Sequence, residues 1–162
     1  MTGKTATVLI LVSAFSSAMI AGVFYAFSSF VMPALARLHS SEGIHAMNSI
    51  NVTVITPSFM LLFMGSAVLG IVLGGWSLLS ISQLDSQLVL LASLLYVVGC
   101  FGVTMLLNVP LNNQLAATSP TDGPVFWQTY LKTWTLWNSV RTAASALAAI
   151  VFIAVALKRA VA

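Results

Sequence analysis

Only three of the 162 residues carry a side-chain carboxylate, and only six are Lys or Arg. Charged residues make up 6% of the chain, against roughly 25% in a soluble domain. That shortage excludes a water-soluble globule of this size, which needs far more polar surface. The acids, Glu42, Asp85 and Asp122, are too few and too scattered for a paired-carboxylate site. The basic residues form no cluster able to neutralise several phosphates, so a net charge of +3 and a pI near 9.4 do not point to nucleic acid. The single cysteine, Cys100, lies in an apolar run; an internal disulfide and a cysteine-based zinc site are excluded, and its expected role is a small packing residue. No glycine-rich phosphate loop and no Ser–His–Asp set is present.

What the chain has instead is apolar length. Hydrophobic residues reach 59% and the mean hydropathy is +1.03. Four long apolar segments, at 6–31, 52–79, 88–107 and 126–157, predict an all-α, integral membrane, up-down four-helix bundle formed as one domain over 1–162. The first segment is too long for a cleaved signal region and reads as a retained membrane helix. Pro33 and Arg37 are expected to end it. Small residues recur on it at Ala14, Ala18, Gly22 and Ala26, and on the second segment at Ser66, Gly70 and Gly74. Such stripes let helices approach closely, within the chain or in a homo-oligomer. Between these segments Ser41 and Glu42 predict the start of a short amphipathic helix. Thr56-Pro57 predicts a fresh helix start or a kink. Asn108-Val109-Pro110 is expected to close the third segment, and the turn formers over 118–124 lead to the fourth.

The up-down order gathers the polar residues at one end. The spacing of Trp134, Asn138 and Arg141, at i, i+4 and i+7, puts them on one helix face. Trp137 and Arg141, four apart, allow a cation–π contact. With Lys158 at the far boundary, Arg141 falls about 25 Å along the axis, one turn inside a hydrocarbon core. A cation at that depth needs partners, and Tyr25, Asn51, Asn108 and Asn112 fall at the same end. So do His39 and His45, but in His39-x-x-Glu42-x-x-His45 they stand six apart, about 120° around a helix. No metal site is expected there.

Three motifs then bear a family resemblance: Gly22-Val23-Phe24-Tyr25-Ala26-Phe27, Asn108-Val109-Pro110-Leu111-Asn112, and Trp134-x-x-Trp137-Asn138-x-x-Arg141-Thr142. In order and spacing they resemble the anthrone-oxygenase-like family of small four-helix membrane proteins. The resemblance implies a monooxygenase-type oxidoreductase that turns an anthrone into an anthraquinone. The acidic methylene of an anthrone yields a delocalised anion that reacts with O2 without metal or flavin. No cofactor is therefore expected beyond O2 as co-substrate, although metal or haem stays open. On this reading His45 or His39 is the catalytic base. Arg141, Asn138 and Asn108 donate to the developing oxyanion, Trp134, Trp137 and Tyr25 form aromatic walls, and Asn51 and Asn112 complete the substrate site.

Two other classes stay in view: a binding or transport module using Arg141 as counter-ion, and a structural subunit whose polar end meets a partner. The expected surroundings are a lipid bilayer and an apolar small molecule. The placement is a bacterial-type inner or plasma membrane with both termini cytoplasmic, because Arg141, being buried, drops out of the positive-inside count.

Overall fold

The structure is a computed structural model and describes residues 3–119 and 122–161. Within those residues the chain forms five helices and no strand. Helix α1 spans Gly3–Leu35, α3 Pro57–Ser80, α4 Leu84–Ala117 and α5 Gly123–Val161; each is long and apolar enough to cross a membrane. The short α2, Ser40–Thr53, joins α1 to α3. The protein is all-α and of the integral membrane type.

Three layers of buried side chains establish the up-down order. One end holds Ile10 of α1, Leu73 of α3, Val89 of α4 and Phe152 of α5. The middle holds Ile20, Phe63, Tyr96, Cys100 and Ala148. The other end holds Met32, Met47 of α2, Leu115, Trp127, Tyr130 and Trp134. The first layer takes residues from opposite ends of successive helices, as antiparallel neighbours require. Lys158 Nζ meets Asp85 at 2.7 Å and ties the last turns of α5 to the start of α4.

Local chemistry explains the helix boundaries. Thr56 caps α3, its hydroxyl accepting from Phe59 N at 3.3 Å, and Pro57 follows in the first turn, where no amide is needed. The cap of α2 lies two residues before the expected Ser41. His39 holds the cap position, and its backbone N–H donates to Glu42 at 3.3 Å. Helix α1 continues over Pro33 but ends at Leu35, before Arg37, as expected; the other expected end is passed, since α4 continues over Asn108-Val109-Pro110 to Ala117. In both, a stretch of π-helix ends two residues before the proline, at Phe27–Val31 and Thr104–Asn108. Wider turns pair carbonyls five residues on, so the missing proline amide leaves no gap and the ring finds room. In the turn expected over 118–124, Pro120 and Thr121 lie outside the described residues, as do Met1, Thr2 and Ala162 at the ends of the expected domain.

The small stripes divide. Ser66, Gly70 and Gly74 are buried against α4, where a Cβ on Gly70 would stand 2.9 Å from Val97 Cγ2. On α1, Ala14 packs in the core, whereas Ala18 and Gly22 are exposed and a Cβ on Gly22 would meet nothing within 4 Å. The buried face of α1 carries Ser13, Ser17 and Ile20 instead.

Candidate functional site

Helix α5 turns one unbroken face inward. Trp127, Tyr130 and Trp134 stack in succession, with ring centroids 5.5 and 6.2 Å apart. Asn138 and Arg141 continue that face and are buried, Arg141 at 4% exposure. The guanidinium carbon lies 4.1 Å from the centre of the Phe24 ring and 5.2 Å from that of Trp134. Arg141 therefore contacts an α1 ring and its own Trp134, rather than the expected Trp137.

Neutral groups hold the cation. Its Nη2 donates to Asn138 Oδ1 at 2.7 Å and its Nη1 to Thr104 Oγ1 at 3.2 Å. Asn138 donates in turn to Phe24 O at 2.6 Å and Ser28 Oγ at 2.7 Å, which ties α5 to α1. The Nε of Arg141 is buried without a hydrogen-bond partner. Among the described residues no side-chain carboxylate pairs with Arg141: Asp85 faces Lys158, Asp122 faces Ser119 and Glu42 caps α2. A buried cation without an anion is an expensive arrangement, and the unpaired N–H adds to its cost.

Helix α4 supplies the facing column: Tyr96, Cys100, Thr104, Asn108 and Asn112, four residues apart. In an α-helix four residues overshoot a full turn by about 40°, which would carry Asn112 roughly 160° away from Tyr96. The π stretches Leu95–Gly102 and Thr104–Asn108 widen the turns and cancel that drift. Tyr96 Oη then donates to Phe63 O at 3.2 Å. Asn108 Nδ2 donates to Trp134 O at 3.1 Å. Asn112 Oδ1 accepts from both Tyr130 Oη and Trp134 Nε1 at 2.8 Å.

In front of Arg141 lies a cavity of about 400 Å³. Phe24 and Phe27 of α1 line it, with Met47, Ile50 and Asn51 of α2, Phe59, Met60, Phe63 and Met64 of α3, Thr104, Met105 and Asn112 of α4, and Trp134 and Arg141 of α5. It is an aromatic and thioether chamber with one cation.

Of the residues expected at a site, Arg141, Trp134, Asn51 and Asn112 line this cavity. Asn138 and Asn108 stand behind it and hold Arg141 and Trp134. Four others are not brought there. Tyr25 is 63% exposed, because the next residue round from a buried Phe24 must face outward. Trp137 is half-buried one residue away from the inward Asn138. His39 and His45 are both exposed; α2 turns Ile44, Met47, Ile50 and Asn51 inward, which leaves His45 on its outer side. His39 Nδ1 is occupied with Ser41 Oγ at 2.9 Å. Sequence reasoning missed Phe24, Thr104 and the methionines. The four-residue column Tyr96-Cys100-Thr104-Asn108-Asn112 gave no signal for Thr104, because the π stretches alone align it.

Among the described residues no group of three or more His, Cys, Asp or Glu comes together to hold a metal. The family model described as anthrone oxygenase matches residues 59–151, more than half of the chain, including Thr104, Asn138 and Arg141. Comparison with curated proteins and with solved structures gives no match.

Proposed function

The chain belongs to the anthrone oxygenase family, and from that premise we propose that the cavity oxidises an apolar aromatic substrate with O2, using Arg141 to hold the substrate as its oxyanion. One observation carries this reading. A buried guanidinium, with one N–H unpaired and no carboxylate beside it, borders a chamber of aromatic rings. An aromatic ligand bearing an acidic oxygen supplies what that cation lacks.

The chemistry balances with O2 alone. The substrate methylene loses a proton, and the charge spreads onto the ring oxygen facing Arg141. The carbanion adds to O2 and gains a proton, which gives a hydroperoxide. Loss of water from it leaves a carbonyl: two C–H bonds break, one oxygen atom enters the C=O group and the other leaves in water. Among the side chains lining the cavity, Arg141 is the only one charged at neutral pH, so the proposal contains no histidine base. Arg141 instead favours the ionised substrate, and the proton departs to water. Trp134 and Phe24 flank the ring system, Asn138 and Thr104 aim the guanidinium, and Asn51 and Asn112 are further contacts. The proposed cofactor set is O2 only, in a plasma-membrane-type bilayer with both termini cytoplasmic.

The test is oxygen uptake and anthraquinone formation from anthrone by the protein in nanodiscs. Parent protein is expected to consume one O2 per anthraquinone, and Arg141→Met to lose that activity. Equal rates for the two, with Arg141→Met shown to be folded, would overturn the proposal. The lack of a carboxylate or imidazole on the wall also favours a second reading, a ligand carrier; tight anthraquinone binding with no oxygen uptake would select it.

A further inference from the structure

We propose that the cavity is filled sideways from the hydrocarbon layer, through a slot between α3 and α4 edged by Met60, Met64 and Met105. Its ligand is accordingly a weak acid, phenol or enol, that crosses the slot neutral and ionises only at Arg141. This rests on the pocket reading above but not on catalysis.

Helices α3 and α4 are closed along one half and part along the other. In the closed half, a Cβ on Gly74 would stand 3.1 Å from Ser93 Cβ, and one on Gly70 2.9 Å from Val97 Cγ2. Tyr96 Oη bonds Phe63 O, and the Phe63 and Phe101 rings lie 5.4 Å apart. The contacts of α3 along α4 fall mainly before the stretch Thr104–Asn108. From these two helices the cavity is lined by three methionines, Met60 and Met64 of α3 and Met105 of α4, together with Phe59 and Val109. Met64 is 42% exposed and Met105 46% exposed, yet both also line the cavity. A side chain that does both is a wall one residue thick.

The depth of the slot decides what reaches it. Met64 is seven residues into α3, about 10 Å from its start, at hydrocarbon level. The water-facing end above the cavity is narrowed by the buried layer of Met47, Leu115, Trp127 and Trp134, with exposed Ile55 the rival opening on that side. Methionine suits a gate, because three rotatable bonds and no branch let it swing aside at little cost. On α4 the gate sits in π-helix, where the backbone bonding is already irregular. A permanent anion cannot pass thioethers and lipid without losing its hydration, whereas a neutral phenol can.

The test uses 1-hydroxyanthraquinone dissolved in phosphatidylcholine vesicles that hold the full chain. Binding is followed by stopped-flow quenching of tryptophan fluorescence. Association is expected to track the probe's mole fraction in lipid, and a sulfonated analogue held in water is expected not to bind. Met64→Phe with Met105→Phe slows association and dissociation together, by at least about tenfold. Met64→Ala and Met105→Ala, singly, speed both, which a merely weakened fold does not do. Val68→Phe, exposed on α3 one turn further on and outside the cavity, leaves the rates unchanged. Parental rates in the doubly blocked protein overturn the proposal. So does slowing by Ile55→Phe alone, since that residue borders the cavity from within the 54–56 linker, nearer the water. Anthrone oxidation with no response to either methionine change sinks the side opening and leaves the activity standing. Gated binding without oxygen uptake does the reverse.

Discussion

Asn138 presents its amide oxygen to Arg141 at 2.7 Å while its amide nitrogen grips α1 through Phe24 O and Ser28 Oγ. One buried side chain thus aims the cation and fastens the helix whose ring covers it. Asn138→Leu removes all three bonds and is expected to destabilise the protein by on the order of 3 kcal/mol, read from unfolding in mixed detergent. Asn138→Asp keeps the shape but gives Arg141 a permanent anion. It is expected to weaken binding of the phenolate form of 1-hydroxyanthraquinone by about tenfold or more, because the cation is already neutralised. Unchanged affinity would show that Arg141 does not meet the ligand's charge.

Arg141 separates stability from activity. Replacing it by methionine removes a buried charge with no anionic partner and keeps most of its volume, so stability stays level or rises. The oxidation rate is expected to fall by about a hundredfold or more, as when an oxyanion donor is removed. Arg141→Lys does not rescue it, since one ammonium cannot reproduce the planar fork between Asn138 and Thr104. Thermal unfolding and oxygen uptake on the same preparations check both halves.

The histidines stand outside the chamber, and the oxidation is expected to run without them. His45→Ala keeps the parental rate within about twofold, since no barrier term passes through it. His39→Ala keeps the backbone bond to Glu42 but loses the side-chain bond to Ser41 at the start of α2, and costs about 1 kcal/mol or less, with turnover unaffected. A loss of rate above about tenfold in folded His45→Ala would restore a histidine base to the mechanism.

Two glycines on different helices should respond in opposite ways to the same change. A Cβ on Gly99 would lie 2.7 Å from Ala144 Cβ, across the contact between α4 and α5. Gly99→Ala is therefore expected to destabilise by about 1–3 kcal/mol. Gly22 faces open space, and Gly22→Ala should stabilise α1 by up to about 1 kcal/mol through backbone entropy. Unfolding midpoints of the two variants, measured side by side, decide this.

Apolar run length and the scarcity of charge were enough to determine a bundle of four membrane-crossing helices. A bilayer accepts few other ways of satisfying a backbone. The shared face of Trp134, Asn138 and Arg141 was likewise settled locally, by 3.6 residues per turn. Neither rule says how a helix is rotated about its axis against its neighbours. Phe24 and Tyr25 are equal candidates in the sequence, about 100° apart. Packing of Ser13, Ser17 and Ile20 into the bundle turned Phe24 to the cation and Tyr25 outward. The rotation of α2 did the same to Asn51 and His45. Pro110 was misleading as a stop signal, because π turns absorb it, and only those turns align Thr104 and Asn108 with α5. Periodicity is a property of one segment. The surroundings of a buried charge are a property of several segments at once, and they became fixed only when all five helices were in place.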